Sequence, residues 1–466
     1  VSGASLGTWW RTVTQLHPLQ LTARVPHRLV QLLVRASGIS VARPPRLRSI
    51  DLAASVAEGL ACFARDEAER YAARLPWLAK NANLAAYEAR YALDLGPDRV
   101  ASNAWTDATS AAPYVASVRA RRLASAVARG RHELVPHLVR AARAVCVAPE
   151  LHLLGNHVLE NGIGLVAASS IADGPEATVW WTLGAAILDW QLPHQFYPDG
   201  MHDEGSMTYH LALVAGLIEA TVLARAGGRP VPSRWGEFIE RGIAIARAYE
   251  APDGRYPLFN DAAYDAGPSI AQVVALARAC GFPVREPPRD AVLTSHVGWV
   301  VLRNARAWCV VKAGPDGSRT QPGHVHADLL SIELWVDGAK LISDPGVTSY
   351  NDDAERAWCR SSAAHNGPHL DGEDSSEVWG AFRTGRRATA TASVVVHEAP
   401  TVTGTRATTS GAVLQRTVSL TDASLTIDDL ATGTLRPLRV RFSSAVSESE
   451  TSPHARRHVV LFGSSS

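Results

Sequence analysis

At 466 residues the chain is too long for one compact core, so two domains are expected, with a third possible. Hydrophobic and charged shares of 46% and 20% are those of a globular protein, and a net charge of +1 sets aside a nucleic-acid binder that relies on bulk positive potential. Cys62, Cys146, Cys280, Cys309 and Cys359 are odd in number and form no CxxC pair, which indicates neither a disulfide framework nor a cysteine metal site.

Residues 1–50 are basic and punctuated by proline, with a helical pattern near 16–36, and read as a leading arm. The opening residues lack a charged n-region before an apolar core. The chain therefore reads as cytoplasmic as written, or as exported where a leader has been removed. No run reads as long and apolar enough to span a bilayer. Lys80, Lys312 and Lys340 are the only lysines among 46 basic residues. Arginine suits a bidentate grip on carboxylates and sulfates, although the accompanying alanine richness gives a GC-rich genome as the simpler cause.

From 51 to 285 the pattern is helical, in segments near 52–75, 84–95, 117–129, 132–147, 157–171, 176–190, 206–227, 235–250 and 268–281. Helix pairs with no strand signal between them predict an (α/α) toroid, as an incomplete barrel, with a helical solenoid as the other option. Two stretches here carry chemistry. In Gly155-Asn156-His157-Val158-Leu159-Glu160, Asn156 is placed to cap a helix and His157 and Glu160 share a face. An amide and an imidazole at a helix start could hold a carboxylate; a cap with an intrahelical pair explains the residues equally well. The second stretch, Asp199-Gly200 to Tyr209-His210, is a polar loop, containing Glu204, that runs into a helix. Tyr209 there is either a packing ring or a functional hydroxyl. Leu258-Phe259-Asn260-Asp261 is a third polar loop.

At Pro287-Pro288 the pattern changes to period two, so 290–466 is expected to be an antiparallel β-sandwich. Strands are predicted at 292–303, 307–312, 329–336, 388–397, 412–420, 424–427 and 438–442. The tail from 443 to 452 is poorly patterned, leaving the last sheet short of a strand. His324-Val325-His326-Ala327-Asp328 precedes the strand Leu330–Val336, and Asp337-Gly338 turns it back towards Ser343-Asp344-Pro345-Gly346. If the first loop curls over the hairpin end, His326 and Asp344 become neighbours. With His365 they offer imidazole, carboxylate and imidazole, a set suited to zinc; the plain alternative is ordinary loop histidines and a turn aspartate.

Taken together these stretches resemble the heparinase II/III-like polysaccharide lyases. Trp10-Arg11-Thr12, Asn156-His157 to Glu160, Asp199-Gly200 to Tyr209-His210, Leu258-Phe259-Asn260-Asp261, His324-Val325-His326-Ala327-Asp328, Ser343-Asp344-Pro345-Gly346, His365-Asn366 and Asp371-Gly372 to Trp379-Gly380 fall in the family's order. The resemblance implies a toroid joined to a β-sandwich, and cleavage of a uronic-acid-containing polysaccharide by β-elimination. Such a substrate is an acidic polysaccharide or oligosaccharide of the heparan sulfate, hyaluronan, chondroitin, alginate or exopolysaccharide kind. It further implies that Asn156 and His157 neutralise the substrate carboxylate, that Tyr209 is the acid, that His157 or Tyr209 is the base, and that His324 assists. Glu160, Glu204, Asn260, Arg360 and Glu377 are read as substrate-binding, and Arg356, Arg360, Arg383, Arg386 and Arg387 as a basic rim or, equally, as solvated surface charges. The implied zinc, on His326, Asp344 and His365, braces the β side of the cleft. Gly367-Pro368 after Asn366 departs from the β-branched strand usual in relatives. Neither nucleic acid nor a membrane is an expected partner, and a homodimer is an allowed assembly. Two alternatives stand beside the lyase: a zinc hydrolase using Glu333 or Asp328 as base, and a glycan binder without activity.

Overall fold

The computed structural model describes residues 5–37, 43–78, 113–264, 266–287, 289–318, 320–396, 399–442 and 447–462. The helical segment expected at 84–95 and His397 lie outside them. The arm is three helices, α1 (Leu6–Thr14), α2 (Pro18–Thr22) and α3 (Arg24–Ser37), followed by α4 (Ala54–Leu78). Next come α5 (Pro113–Ala128), α6 (Val135–Val147), α7 (Gly155–Ile171), α8 (Pro175–Gln195), α9 (Met207–Ala226), α10 (Ser233–Ala248) and α11 (Ile270–Ala279). Helix α7 is the hub, packed on α5, α8 and α9. Glycine recurs along it because neighbours come close: a Cβ on Gly164 would lie 2.6 Å from Ser117 O, and one on Gly162 2.7 Å from Ile187. By length and composition α9 could cross a bilayer, contrary to the sequence expectation, but it is buried inside the helical core.

Among the described residues the second half holds two large antiparallel sheets, with two-stranded pairs of Val378–Trp379 with Arg383–Thr384 and of His369–Leu370 with Leu438–Arg439 beside them. The first runs in chain order through β1 (Val292–Thr294), β2 (Trp299–Arg303), β3 (Ala307–Lys312), β4 (Ile332–Val336) and β5 (Ala339–Ile342). The expected single strand at 292–303 is two, because Gly298, at φ +78, turns the chain between them. The second sheet holds β6 (Ala390–Val395), β7 (Thr401–Ala407), β8 (Val413–Leu420), β9 (Ser424–Thr432), β10 (Ser447–Ser452) and β11 (Ala455–Leu461), in the order β6-β7-β8-β9-β11-β10. The tail thus adds a hairpin, and the sheet is not short at its C-terminal end.

Period-two alternation explains how the halves join. On β2 and β3, Trp299, Val301, Trp308 and Val310 enter the helical core. Val300, Leu302, Cys309 and Val311 face the second sheet with Val402, Val418, Leu425 and Ile427. The face of β4 that reads as polar, Glu333 and Trp335, is buried as well. Asp337 and Gly338, at φ +50 and +82, make the expected tight turn.

Candidate active site

The site begins with strain. Leu154 has φ 57 and ψ −152, a region natural to glycine, and Gly155 follows at φ 57. Such geometry costs on the order of 1–3 kcal/mol in a residue bearing a Cβ. A Cβ on Gly155 would lie 2.7 Å from Glu204 Oε1, so glycine lets the loop before α9 touch the start of α7. Asn156 consequently does not cap the helix. Its backbone N–H donates to Glu204 Oε1 (3.0 Å), and its Nδ2 donates to Glu204 Oε2 (2.8 Å) and lies 3.2 Å from His324 Nε2. Asn156 Oδ1 is buried and takes no hydrogen bond.

The expected pairing of His157 with Glu160 is absent, because each has a partner elsewhere. His157 Nδ1 lies 3.3 Å from Glu150 Oε2, and its ring lies 4.7 Å from Tyr114. Burial is the largest influence on this imidazole and works against charge; Glu150, helped by Glu204, outweighs it and raises the group above 6.5. Glu160 is buried against Arg121 (3.1 Å), in a network where Arg121 and Arg122 also hold Glu219. It therefore sits in the helical core.

From the β half, Pro322–His324 forms a single turn that carries His324 to Asn156. The ring of Tyr209, in the first turn of α9, lies 4.1 Å from that of His324, and its hydroxyl donates to Tyr350 Oη at 3.3 Å. What fixes His324 is Asp261, a residue read from the sequence only as part of a polar loop. Its Oδ2 accepts from His324 Nδ1 (2.8 Å), its Oδ1 from His326 Nε2 (2.7 Å), and the Arg356 guanidinium grips both oxygens. Burial, the largest influence, acts to raise this carboxyl; Arg356 and the two imidazoles overcome it and hold it well below its usual range. Since Asp261 is ionised, His324 Nδ1 carries the proton and Nε2 keeps its lone pair, facing the Asn156 donor.

Asn260, at φ +58, ties the loop down: its Nδ2 donates to Gly205 O (2.9 Å), and its Oδ1 accepts from Lys312 Nζ (2.7 Å) and from the His326 backbone (3.2 Å). Arg360 and Glu377, expected to bind substrate, are occupied. Arg360 is buried and donates to Val325 O, Gly380 O and Thr384 Oγ1 at 3.0, 3.0 and 3.1 Å. Glu377 accepts from Thr8 Oγ1 and Arg11 Nε, both at 2.8 Å, and so anchors α1. Those bonds hold Glu377 down to about 2, with Arg11 the first cause.

Of the expected zinc set, Asp344 and His365 are in contact, His365 Nδ1 donating to Asp344 Oδ2 at 2.8 Å. The residue whose ligand atoms lie within 4.8 Å of both is Asp328, not His326. Asp328, however, already holds Lys312 Nζ and the Asn260 backbone N–H. His326 stands beside the pair, its ring 5.4 Å from that of His365, and burial drives its imidazole down to about 3. Its Nδ1 and His365 Nε2 are buried and without hydrogen-bond partners. Two orphaned ring nitrogens beside a carboxylate are the donor chemistry of a zinc site, so the residues fit the metal.

Both halves of the chain are similar to known proteins. Residues 143–286 match the Heparinase II/III N-terminus family and residues 286–465 the Heparinase II/III-like, C-terminal family. Heparin-sulfate lyases from Pedobacter heparinus and Bacteroides thetaiotaomicron are 26% and 24% identical over 250 and 254 residues, or 47% and 46% of this chain. The chain covers 36% of each, little more than a third of their length. The crystal structure of heparinase III superposes with a TM-score of 0.57 at 18% identity, covering 72% of this chain and 58% of that one. Heparan sulfate lyase HepC from Pedobacter heparinus gives 0.52 at 18% identity, covering 93% and 72%. At that identity the superpositions speak for the fold: helices followed by antiparallel sheets. Because both halves of the family pattern occur in order and meet at the junction where Asn156 touches His324, this chain belongs to the heparinase II/III-like family.

Proposed function

We propose that this chain is a polysaccharide lyase that cleaves an acidic, uronic-acid-containing polysaccharide by β-elimination. The helices are read as an incomplete (α/α) toroid and the sheets as a β-sandwich, with the substrate cleft between them. One observation carries the reading: Asn156 from the helical half and His324 from the β half meet at 3.2 Å, with the Tyr209 ring against His324. The C5 proton of a uronate becomes acidic only when the carboxylate charge is offset. His157, favoured as imidazolium by Glu150, and the Asn156 N–H now lent to His324 are the groups to offset it. His324 Nε2 then takes the C5 proton, the electron pair forms the C4–C5 double bond, and the C4–O bond breaks. Tyr209 delivers its hydroxyl proton to the leaving oxygen. Asp261 holds His324 in the accepting tautomer and balances the imidazolium that forms.

His326, Asp344 and His365 are the residues we assign to zinc, with Asp328 held off by Lys312. When bound, the ion supplies positive charge and cross-linking that brace the β half. The hydrolase alternative finds no base: Glu333 accepts from Lys340 Nζ, Asp344 N and Leu258 N, and Asp328 is engaged as above. The test is ultraviolet absorbance of the conjugated product on a panel of uronic-acid polysaccharides. A rise on one polymer that Tyr209→Phe and His324→Ala abolish supports the lyase; reducing ends without absorbance refute it.

A further inference from the structure

A group of exposed rings and one arginine beside the site has no role in the chemistry above. The short hairpin of Val378–Trp379 and Arg383–Thr384 packs on the turn that carries His324, since Thr384 Oγ1 donates to Pro322 O at 2.9 Å. Phe382 leads into its second strand. Its ring is 6.0 Å from that of His324 and stacks on Tyr350 at 6.0 Å and 13°, yet the residue is 41% exposed. The next residue, Arg383, is clamped. Its guanidinium carbon lies 4.7 Å from the Trp9 ring and 4.8 Å from that of Trp379, and the two indoles meet edge-to-face at 4.7 Å.

Four neighbouring arginines are engaged: Arg356 by Asp261, Arg360 by backbone carbonyls, Arg387 by Gln15 and Ser318, and Arg11 by Glu377; Arg386 is exposed, with no ring against its guanidinium among the described residues. Arg383 differs. Among the described residues its guanidinium forms no ion pair and donates no hydrogen bond, and the residue is exposed. Docking of the arm does not explain the clamp, because Thr8, Arg11 and the Trp379 Nε1–Thr12 Oγ1 bond (3.1 Å) already provide it. A guanidinium held between two indole rings, with its N–H fork open, is pre-organised for an oxyanion, because little side-chain freedom remains to be lost on binding.

Resting on the lyase reading, we propose that Phe382 and Arg383 form a substrate subsite beside the cleaved linkage, in which Phe382 stacks on a sugar ring and Arg383 grips its carboxylate or sulfate. The N-terminal arm belongs to this subsite, because Trp9 is one jaw of the clamp.

The test compares the full chain with Arg383→Gln and Arg383→Lys on heparan sulfate and on its desulfated form. KM is expected to rise about fivefold to tenfold in Arg383→Gln, the loss of a charge-assisted contact, with the same unfolding temperature as the parent. Arg383→Lys, which keeps the charge but not the planar fork, is expected to fall between. An effect confined to the sulfated polymer assigns a sulfate, and an effect on both assigns the carboxylate; unchanged KM on both overturns the subsite. Should the parent turn over neither polymer, salt elution from immobilised heparan sulfate decides the subsite separately from the lyase reading. Earlier elution of Arg383→Gln then supports it, and co-elution with the parent overturns it.

Discussion

Consider Asp261→Asn. In the parent one carboxylate receives His324 Nδ1, His326 Nε2 and both arms of the Arg356 guanidinium, all of them buried. Asparagine keeps one oxygen and presents an NH2 where the other stood, so at least one N–H faces another N–H. Arg356, fully buried, loses the one carboxylate it pairs with among the described residues. Breaking one side of a buried ion pair costs about 3–5 kcal/mol, a large part of the roughly 5–15 kcal/mol that holds a domain folded. The effect on turnover is separate. An asparagine amide facing His324 Nδ1 favours the proton on Nε2, which removes the proton acceptor, and loss of general-base catalysis lowers kcat by about 10²–10⁴-fold. Urea unfolding followed by tryptophan fluorescence measures the first effect and product absorbance the second. Pairing the change with Arg356→Met, which removes the stranded charge, is expected to recover stability but not rate. An Asp261→Asn chain with the parent's midpoint and rate would refute the assignment of Asp261 as the hub.

Tyr209→Phe is expected to lower kcat by about 10²–10⁴-fold with little change in unfolding, because Tyr209 lies at the site margin and its ring remains; comparable loss of both would move Tyr209 from chemistry to packing. Glu150→Gln is expected to lower the His157 titration seen by NMR. The raised imidazole contributes stability that is full below its ordinary 6.5 and lost as pH climbs through the folded value, and Glu150, whose carboxyl is held below 4.5, contributes above that value. The stability gap between parent and Glu150→Gln should therefore be widest between about 4.5 and 6.5 and close on the alkaline side; a gap independent of pH argues against the pair. Glu160→Gln should cost about 3 kcal/mol through Arg121 while leaving KM on the polysaccharide as it was, whereas a raised KM would restore a substrate role. Metal analysis of the purified chain should find one zinc, lost in His365→Ala together with thermal stability; a chain without zinc after zinc-supplemented purification removes that site.

Local chemistry was legible in the sequence wherever a residue's role depends on near neighbours. Alternation at Leu330–Val336 with Asp337-Gly338 gave the hairpin; the helix start marked Asn156, the polar loop running into a helix marked Tyr209, and the loop before the strand marked His324. Roles set by distant partners were not. Asp261 acquires its three partners from positions 63, 65 and 95 residues away, and its signal in sequence was only an aspartate after Asn260. Arg360 and Glu377 looked like free charges until folding brought carbonyls to one and the arm to the other. Strand β7 was passed over because Gly404 interrupts its pattern, yet that glycine is required: a Cβ there would lie 2.5 Å from Leu330 Cδ2. The terminal hairpin was missed because β10, Ser447–Ser452, carries no apolar alternation and is held by pairing with β11.

The placement of these residues explains why the site needs both halves at once. Asn156, His157, Glu204 and Tyr209 stand on helices or the loops before them, and His324 and His326 stand on a loop of the β half. Asp261 leaves the helical half between α10 and α11 yet spends its bonds on His324, His326 and Arg356, all from beyond Val292. Asn260 does the same through Lys312. Neither half alone therefore holds an oriented imidazole opposite an amide: without Asp261 the His324 tautomer is unset, and without His324 the Asn156 amide has only Glu204. A displacement of one half against the other by about 1 Å would stretch the 3.2 Å Asn156–His324 contact beyond hydrogen-bond reach. The arm acts against that displacement, because Gln20 Nε2 donates both to Leu153 O on the helical side (2.7 Å) and to Thr320 O on the β side (2.9 Å), next to the strained Leu154. Strain at Leu154, the bridging amide of Gln20 and the Asp261 hub thus act together: they hold the facing surfaces of the two halves at the spacing that the proposed proton transfer requires.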